Sequence, residues 1–423
     1  MTEPLKISVV VASRARPEML KRCLTACVQL AWPAFEVIVV ADKDGRDAVE
    51  DVPNIKVVAC DQANISLSRN LGIAAAGGDV VAFVDDDAVP EPMWLAALAG
   101  AFEDAAVGAA TGPVLGRNGI SVQSGAETIL VTGETVQSET DPARRRAAGG
   151  RTPKTVGTNM AFRTDLVRSV GGFDESYRYL FEDADLNMRL GQMGVVTAYI
   201  PDAVVHHARA PSRRRRLDRT PRDLFDIGRS TAVFLARHAG EDGAQALAAA
   251  RAREHARLDR ALVLGTLEPR DVRRLVKSFD EGVERARDKE TTPRLHRFGQ
   301  RAVFEPLNIT SVSYVSIGSG VWRRKSAMAA AEKARDAGAI VTLMILSRTG
   351  LYHKVTYEDG MWVHRGGVFG RCVRSEPILQ LSTKKRRFAR EIDRISDHRG
   401  LNGVSERRLA GNLAVSEAPS SFF

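Results

Sequence analysis

Short apolar runs alternate with amphipathic stretches over the first ninety residues. The apolar runs lie at 7–11, 35–40, 55–58 and 80–84 and are rich in Val and Ile. Their length and β-branched content predict buried strands. The stretches 18–30 and 66–76 place apolar residues at helical spacing. The resulting β-α-β-β-α-β succession predicts an α/β fold with a mainly parallel, Rossmann-like sheet and helices on its faces.

The pattern changes after residue 220. Ala/Arg-rich stretches at 224–238 and 243–264 and a charged stretch at 271–289 read as helices. Thr291-Thr292-Pro293 is typical of a linker. A second α/β pattern follows, with strands predicted at 309–317, 339–346 and 355–363 and helices at 325–337 and 384–399. We therefore predict four parts: the first α/β domain at 1–220, a helical extension at 221–290, a linker at 291–304 and a small α/β segment at 305–423.

Length and composition support a folded protein of more than one domain. The chain has 423 residues, 44% of them hydrophobic. Apolar runs stay shorter than a membrane span, and charged Glu3 and Lys6 lead directly into the first strand, which argues against a signal peptide. The four cysteines include one helical pair, Cys23 and Cys27, with no second Cys/His pair to complete a zinc site. Reduced thiols and a cytoplasmic protein are the expectation.

Net charge is +9, and part of it is concentrated in the arginine runs 144–146 and 213–216. Such runs favour anionic lipid headgroups, a lipid-diphosphate acceptor or an acidic glycan, and they also occur in solvated loops. Neither run carries interleaved aromatic residues or a nucleic-acid motif, so nucleic acid is not expected as a partner. A peripheral contact with an anionic membrane, at its inner face, is the prediction.

Three consecutive acids, Asp85, Asp86 and Asp87, follow the strand predicted at 80–84. Function collects at the carboxyl end of strands in an open α/β sheet. Adjacent carboxylates repel one another, and a divalent cation with oxygen ligands is the simplest stabiliser. The alternative is a helix N-terminus with spare acids, because Pro90-Glu91-Pro92 opens a helix just after the triplet.

Several motifs in order resemble a known family. They are Arg16-Pro17, Asp42 after the second strand, Ser68-Arg69-Asn70-Leu71-Gly72, Phe83-Val84-Asp85-Asp86-Asp87, Gly157-Thr158-Asn159, Gly171-Gly172-Phe173-Asp174 and Phe181-Glu182-Asp183. Together they resemble the family 2 glycosyltransferases, which have the GT-A nucleotide-sugar fold. The resemblance covers about residues 5 to 210, and its specificity comes from the set of motifs rather than from the acids alone.

The resemblance implies a donor site for a nucleotide-sugar. Asp85 and Asp87 match the acids that hold Mn2+ or Mg2+ at the diphosphate, and Asp86 matches a ribose contact. Arg69 would offer its guanidinium to phosphate oxygens, or it would be a surface arginine. The loop at 12–14 departs from the commoner family pattern, which leaves the nucleotide open. The full predicted donor set is Ala12, Ser13, Arg14, Asp42, Arg69, Asp86 and Asn159.

The resemblance also implies a catalytic base. In the family the second acid of the Glu182-Asp183 pair removes the proton from the acceptor hydroxyl, which fits an inverting displacement. The alternative for these acids is a favourable interaction with a helix N-terminus. His206 and His207 follow a later strand, and one of them is expected to join the metal ligands. Since adjacent strand residues point to opposite faces, only one can do so, and His206 is preferred.

The C-terminal segment has a weaker resemblance, to the N-terminal half of a GT-B, family 4 glycosyltransferase. Gly318-Ser319-Gly320 stands where that fold has its glycine-rich loop. The second Rossmann domain of a GT-B enzyme is not found in this sequence, so a truncated or remodelled, non-catalytic half-domain is the prediction. The alternative is an unrelated small α/β module. For the whole chain we predict transfer of a sugar to a glycan or lipid-linked acceptor in cell-surface polysaccharide assembly. The rivals are a nucleotidyltransferase-like enzyme and a catalytically silent scaffold.

Overall fold

The computed structural model describes residues 3–138, 143–208, 214–216, 218–289, 292–307, 313–373, 375–401 and 408–409. Its first part alternates strands and helices as predicted. The elements are β1 (Ile7–Ser13), α1 (Pro17–Cys27), β2 (Phe35–Ala41), α2 (Lys43–Asp47), β3 (Lys56–Ala59), α3 (Ile65–Ala75), β4 (Val80–Asp85), β5 (Ala88–Pro90), α4 (Trp94–Phe102), β6 (Val107–Thr111), β7 (Val114–Leu115), β8 (Val122–Ser124), β9 (Glu127–Leu130), β10 (Thr135–Gln137), β11 (Arg151–Lys154), β12 (Met160–Arg163), α5 (Thr164–Ser169), α6 (Glu182–Gln192), β13 (Val196–Tyr199) and β14 (Val205–His207).

A seven-stranded sheet forms the centre of this part, in the order β13-β6-β12-β4-β1-β2-β3. Its strands pair in parallel except β12, which runs antiparallel to both neighbours. Val9 packs into the core on one face, and Val10 packs into the core on the other. Burial on both faces explains why the strands read as unbroken apolar runs.

The register of the central strands brings their carboxyl ends together. Ser13 of β1 pairs with Ala41 of β2, and Ala12 pairs with Asp85 of β4. The acid triplet therefore emerges beside the loops that follow β1 and β2, where an open α/β sheet binds its ligands. Two smaller sheets extend this edge, one in the order β5-β14-β7-β8 and one in the order β10-β9-β11.

Three helices follow as predicted: α7 (Phe225–His238), α8 (Gly243–Val263) and α9 (Pro269–Lys289). Two glycines let α7 and α9 approach closely. A Cβ at Gly228 would lie 2.1 Å from the carbonyl oxygen of Phe279, and one at Gly282 would lie 2.1 Å from that of Phe225. Across the described part of the chain, none of the helices combines the length and the apolar character that crossing a membrane requires.

The C-terminal segment forms a five-stranded sheet in the order β17-β18-β16-β15-β19. Its elements are β15 (Tyr314–Gly320), α10 (Arg324–Asp336), β16 (Ile340–Ser347), β17 (Lys354–Glu358), β18 (Met361–Gly367), α11 (Lys384–Arg399) and β19 (Arg408–Leu409). The strand prediction at 309–317 falls partly on residues outside the described ranges. The predicted α/β fold class is confirmed, with the larger sheet first, the helices next and the smaller sheet last.

We predicted a linker at 291–304; the described residues 292–307, which include most of it, lie along the first part of the chain. The Arg294 backbone N–H donates to Asp174, and the Leu307 N–H donates to the carbonyl oxygen of Phe35. The small sheet itself packs against the first part. The Val355 N–H of β17 donates to the carbonyl oxygen of Asn118 at 2.9 Å. The C-terminal segment is thus in direct contact with the first part of the chain, at the loop between β7 and β8.

Candidate active site

Asp85 is held from two sides at the end of β4. Thr158 Oγ1 donates to Asp85 Oδ2 at 2.6 Å, and Arg69 Nη2 lies 3.3 Å from Asp85 Oδ1. Asp85 is partly exposed, unlike Asp86 and Asp87, which are buried. Its carboxylate is therefore fixed in orientation and still reachable from the carboxyl edge of the sheet.

Asp86 lies against the loop that follows β1. Ser13 Oγ donates to Asp86 Oδ2 at 2.8 Å, and Arg16 Nη1 lies 3.0 Å from Asp86 Oδ1. Burial raises the pKa of Asp86 to about 7 in spite of the opposing charge of Arg16. Predicted donor residues Ser13 and Asp86 thus contact each other directly.

Asp87 joins the triplet to β14. Arg16 Nη1 lies 3.1 Å from Asp87 Oδ2, and His207 Nε2 lies 3.0 Å from Asp87 Oδ1. One ligand atom from each of Asp85, Asp87 and His207 falls within 4.8 Å of the others. Two carboxylates and an imidazole are suitable donors for Mn2+, and carboxylate oxygens suit Mg2+. The side-chain amide of Gln123 lies 2.9 Å from His207 Nδ1 and fixes the ring from behind.

His206 was preferred for this group, but the structure places His207 there. The two histidines do point to opposite sides of β14, but His207 is the one that faces the acids. His206 Nε2 lies 2.8 Å from Glu91 Oε1, and its ring lies 4.8 Å from that of Trp362 in the small C-terminal sheet. Burial lowers the pKa of His206. Which of the two histidines faces the acids depends on the pairing of β14 with β5, in which His207 lies opposite Ala88.

Arg69 connects the acid triplet to α6. Its Nη1 lies 2.8 Å from Glu182 Oε1, and the side chain is buried. A Cβ at Gly157 would lie 2.6 Å from Arg69 Nη2, so glycine there makes room for the guanidinium. Arg69 is therefore not the surface arginine considered as an alternative. It is a buried bridge between two carboxylates, and its contacts favour positioning of those acids over capture of phosphate.

Glu182 and Asp183 differ in exposure at the start of α6. Glu182 is buried, and burial followed by the charge of Asp183 raises its pKa. Asp183 is partly exposed; its Oδ2 accepts from the Gly157 N–H at 3.1 Å and its Oδ1 from the Ala184 N–H at 2.7 Å. The accessible carboxylate is thus Asp183, beside the loop that also carries Thr158.

The backbone just before α6 is strained. Leu180 and Phe181 both have φ of +68°, a left-handed conformation that costs a residue with a Cβ about 1 kcal/mol or more. The Phe181 ring is stacked on Phe234 of α7, with centroids 4.7 Å apart. Packing from the helical extension therefore holds the sharp turn from which the acids of α6 project.

The predicted base-recognition residues meet at the end of β2. Asp42 caps α2 by accepting from the Gly45 N–H at 3.2 Å, and it accepts from the Ala15 N–H at 2.9 Å. Arg14 donates to the carbonyl oxygen of Asp61, which lies after β3. Ala12 is the last residue of β1 paired with β4. The loops after β1, β2 and β3 are thus tied into one wall beside the acids.

Asn159, which was predicted as a donor-site residue, does not line this wall. Its side chain is fully buried, and its Oδ1 accepts from Trp94 Nε1 at 2.9 Å. Its Nδ2 donates to the carbonyl oxygens of Pro113 and Ala203. These bonds hold β12 to neighbouring loops, which is a structural function.

Sequence reasoning missed Arg16, Thr158 and Gln123 as members of the site. Arg16 and Thr158 each stand inside a motif that carried the resemblance, and a polar residue within such a motif was the available signal. Gln123 lies on the short strand β8, and the sequence around it did not indicate that it belongs to the site. The structure adds a solvent-open cleft of about 170 Å³ beside His207. Arg22, Arg117 and Lys354 also line it, so β17 of the small sheet forms one of its walls.

Comparison with known proteins identifies the family. The model of the family described as "Glycosyltransferase like family 2" matches residues 4–224, slightly more than half of the chain. A probable glycosyltransferase of Bacillus subtilis, YdaM, is 30% identical over 48% of this chain and 51% of its own length. An N-acetylglucosaminyl-diphospho-decaprenol L-rhamnosyltransferase of Mycobacterium tuberculosis is 40% identical over 20% of this chain and 27% of its own.

The chain thus spans about half, or less, of the length of these curated relatives. A solved mannosyltransferase of Pyrobaculum calidifontis, in complex with GDP-Man and Mn2+, is 17% identical with a TM-score of 0.40 and covers 68% of this chain and 89% of its own. The matched region 4–224 contains the acid triplet, α6 and β14. The chain belongs to the glycosyltransferase family 2.

Proposed function

We propose that this enzyme is an inverting glycosyltransferase that uses a nucleotide-sugar and a divalent metal. The observation that carries the proposal is the convergence of Asp85, Asp87 and His207 beside the accessible carboxylate of Asp183. When bound there, Mn2+ or Mg2+ would offset the negative charge that builds on the diphosphate as the sugar departs. Intact acids at all three aspartate positions argue against a silent scaffold.

The remaining roles follow from the contacts of this chain. The wall formed by Ala12, Ser13, Arg14 and Asp42 would bind the nucleoside, with Asp86 at the ribose. Asp183 would accept the proton of the acceptor hydroxyl as that oxygen attacks the anomeric carbon, and Gly157 N–H would hold the carboxylate in place. Glu182 and Arg69 would orient this base from behind. With one base and no enzyme nucleophile, the displacement inverts the anomeric configuration.

A glycan or lipid-linked acceptor, in polysaccharide assembly, is the acceptor class that we propose. It is supported by the relatives named for diphospho-decaprenol rhamnosyl transfer and for O-antigen biosynthesis. With such an acceptor, the location that we propose is the cytoplasm, peripheral at the inner face of the membrane. Arg22, Arg117 and Lys354 line the cleft beside His207 and supply positive charge for an acceptor phosphate.

The domain division at 1–220, 221–290, 291–304 and 305–423 is part of the same proposal. For the last segment we propose a remodelled GT-B-like half-domain without a catalytic role of its own. The order of β15, α10 and β16, with β15 and β16 parallel, supports this. Gly318, Ser319 and Gly320, which we expected in a glycine-rich loop, are instead the last residues of β15. Its contribution would be the wall that β17 adds to the cleft.

A screen of sugar nucleotides tests the proposal. The full chain is incubated with each nucleotide-sugar and Mn2+ or Mg2+, and release of nucleoside diphosphate is measured. We expect hydrolysis of one or a few donors that depends on metal and is lost in Asp87→Asn. With an acceptor in hand, the anomeric configuration of the product is read by NMR. Donor turnover that does not depend on metal, or a retained configuration, would contradict the proposal.

A further inference from the structure

An exposed apolar patch covers one edge of the small C-terminal sheet. Trp322 is fully exposed, Leu381 is 92% exposed and Ile378 is 75% exposed. Soluble surfaces seldom gather several large apolar side chains without a partner. We name this patch the docking edge and define it by Val321, Trp322, Leu351, Tyr352, Ile378, Leu379 and Leu381.

Strand pairing and loop contacts bring these residues together. Gly320 at the end of β15 pairs with Leu346 near the end of β16, so the loops carrying Trp322 and Leu351 emerge side by side. Leu379 forms an isolated antiparallel β-bridge with Gly370. The Leu379 side chain lies 3.3 Å from the position that a Cβ on Gly350 would take. Lys384, three residues after Leu381, would touch a Cβ on Gly320. Residues from three separate loops thus form one surface.

The charge of the sequences that carry the docking edge is predominantly positive. With the adjoining ends of strands and helices, the three loops span 320–326, 347–354 and 375–387, and Glu376 is the one acid in these sequences. Glu376 accepts from the backbone N–H groups of Cys372 and Val373, so its charge is satisfied by the chain. The exposed basic residues of these loops are Arg323, Arg324, Lys325, Arg348, Lys354, Lys385 and Arg386.

The arginine runs that first indicated a membrane contact are engaged elsewhere. Arg145 is buried and donates to the carbonyl oxygen of Glu127 at 2.7 Å. Arg214 pairs with Asp226, and its guanidinium lies 4.4 Å from the Tyr179 ring. Arg213 lies outside the described residues. These runs hold loops together, whereas the basic residues of the docking edge surround exposed apolar side chains.

We propose that the docking edge binds the surface of an anionic phospholipid membrane. A large aromatic side chain beside Leu and Ile suits the headgroup boundary, where tryptophan is favoured. The surrounding Lys and Arg side chains suit the negative surface of the same membrane. Apolar insertion and charge attraction are the two contributions that hold a peripheral protein on a bilayer, and this edge supplies both.

The position of the docking edge relative to the cleft bears on how the acceptor reaches the site. This step of the inference rests on the proposed function. Leu351 lies at the edge, and Lys354 lines the cleft beside His207. Three residues span at most about 11 Å, so docking sets the mouth of the cleft close to the bilayer. A lipid-linked acceptor would then reach the site without leaving the membrane.

Tryptophan fluorescence of the full chain tests the docking edge directly. Of the four tryptophans, Trp94 and Trp362 are buried and Trp32 is half-buried, so Trp322 is the one that a membrane would shift. We expect a blue shift with vesicles of phosphatidylcholine and phosphatidylglycerol, weaker with phosphatidylcholine alone and reduced by salt. Trp32→Phe should keep the shift, and Trp322→Ser should lose it.

Vesicle sedimentation gives the magnitudes. Each basic residue near an anionic surface contributes about fivefold to binding, so Lys385→Glu with Arg386→Glu should weaken it on the order of 25-fold or more. Trp322→Ser should weaken it about tenfold. The matched controls are Arg253→Glu with Arg260→Glu for charge and Leu264→Ser for apolar exposure, all on the exposed surface of α8 or just after it. These should bind as the parent does.

Two results would overturn the proposal. One is absence of binding to anionic vesicles by the parent chain. The other is self-association, seen by light scattering, that Trp322→Ser abolishes while vesicles have no effect, which would assign the edge to a second copy. Donor hydrolysis without vesicles should be unchanged in the edge variants. A parent chain that binds vesicles and hydrolyses no donor would contradict the proposed function and leave the docking edge standing.

Discussion

Arg399 and Glu91 form a buried, two-pronged ion pair although 308 residues separate them. Arg399 Nε lies 2.7 Å from Glu91 Oε2, and its Nη2 lies 2.9 Å from Glu91 Oε1. Both side chains are almost fully buried. The pair joins the end of α11 to the turn between β5 and α4, so the C-terminal segment and the part that carries the acid triplet share a charged contact in their common core.

Breaking this pair should destabilise the protein strongly. Arg399→Met leaves the Glu91 carboxylate buried with His206 as its remaining partner, and loss of one member of a buried pair costs about 3–5 kcal/mol. The double variant Glu91→Gln with Arg399→Met should recover a large part of that loss, since no charge stays buried. Urea unfolding measures both, with the exposed Arg253→Met as control. A loss in Arg399→Met no larger than in the control would contradict the expectation.

The same pair predicts a pH dependence. Burial by itself would raise the pKa of Glu91, but Arg399 and His206 hold it well below its usual range. The folded-state pKa is depressed, so this stabilisation is present above the ordinary value of 4.5 and is lost as the pH falls toward the folded pKa. The stability difference between parent and Arg399→Met should therefore be largest at neutral pH and shrink in acid. A difference that grows as the pH falls would exclude this origin.

Substitutions of the two histidines of β14 should have different effects on metal affinity. His207→Gln removes a ligand atom beside Asp87 and should weaken Mn2+ binding by at least about tenfold, measured by calorimetry with nucleoside diphosphate present. His206→Gln is the matched control, because its ring faces Glu91 and Trp362. Equal effects of the two changes, or a larger effect of His206→Gln, would return the assignment to His206.

Substitutions of the two acids at the start of α6 should have different effects on turnover. General-base catalysis contributes about 10²–10⁴-fold, so Asp183→Asn should lose turnover in that range while donor affinity is nearly kept. Glu182→Gln should lose less, because Glu182 is buried behind Asp183 and contacts Arg69. Transfer kinetics and donor affinity are measured separately. Near-normal turnover in Asp183→Asn together with a collapse in Glu182→Gln would make Glu182 the base.

The close crossing of α7 and α9 should not accept a methyl group. A Cβ at Gly282 would overlap the Phe225 carbonyl oxygen, so Gly282→Ala should destabilise by about 1–3 kcal/mol. Gly100→Ala in α4 is the control, since a Cβ there meets nothing within 4 Å. An exposed helical glycine loses more entropy on folding than alanine, and this control should stabilise by roughly 0.5–1 kcal/mol. Thermal unfolding of the two variants should move in opposite directions.

Strands and motif positions were accessible from the sequence because they depend on local pattern. Val80 to Val84 are buried on both faces of the sheet, so all five positions are apolar, and this apolar run in the sequence ends at the acids. The choice between His206 and His207 was not accessible, because alternation fixes the relation of the two side chains but not the face that each one takes. Asn159 looked available for the same reason: its three partners come from segments 44 to 65 residues away.

Contacts across longer separations were further out of reach. No sequence motif around Arg399 or Glu91 indicates that the two residues pair. The docking edge consists of three loops, and no single loop sequence indicates a binding surface. The helical extension read correctly as helices, while its hold on the turn before α6 depends on the packing of Phe234. Local periodicity predicts elements, and the partners of a buried charge or ring are decided by how those elements meet.

The strained turn at Leu180 and Phe181 has a consequence for control of the enzyme. The α7 helix holds this turn at several points: Arg229 donates to the carbonyl oxygen of Ser176, Ser230 to that of Tyr179, and Phe234 stacks on Phe181. A small molecule or a protein that displaced α7 would release the turn and misalign Asp183 while the nucleotide wall stayed intact. The helical extension is thus expected to help set the orientation of α6.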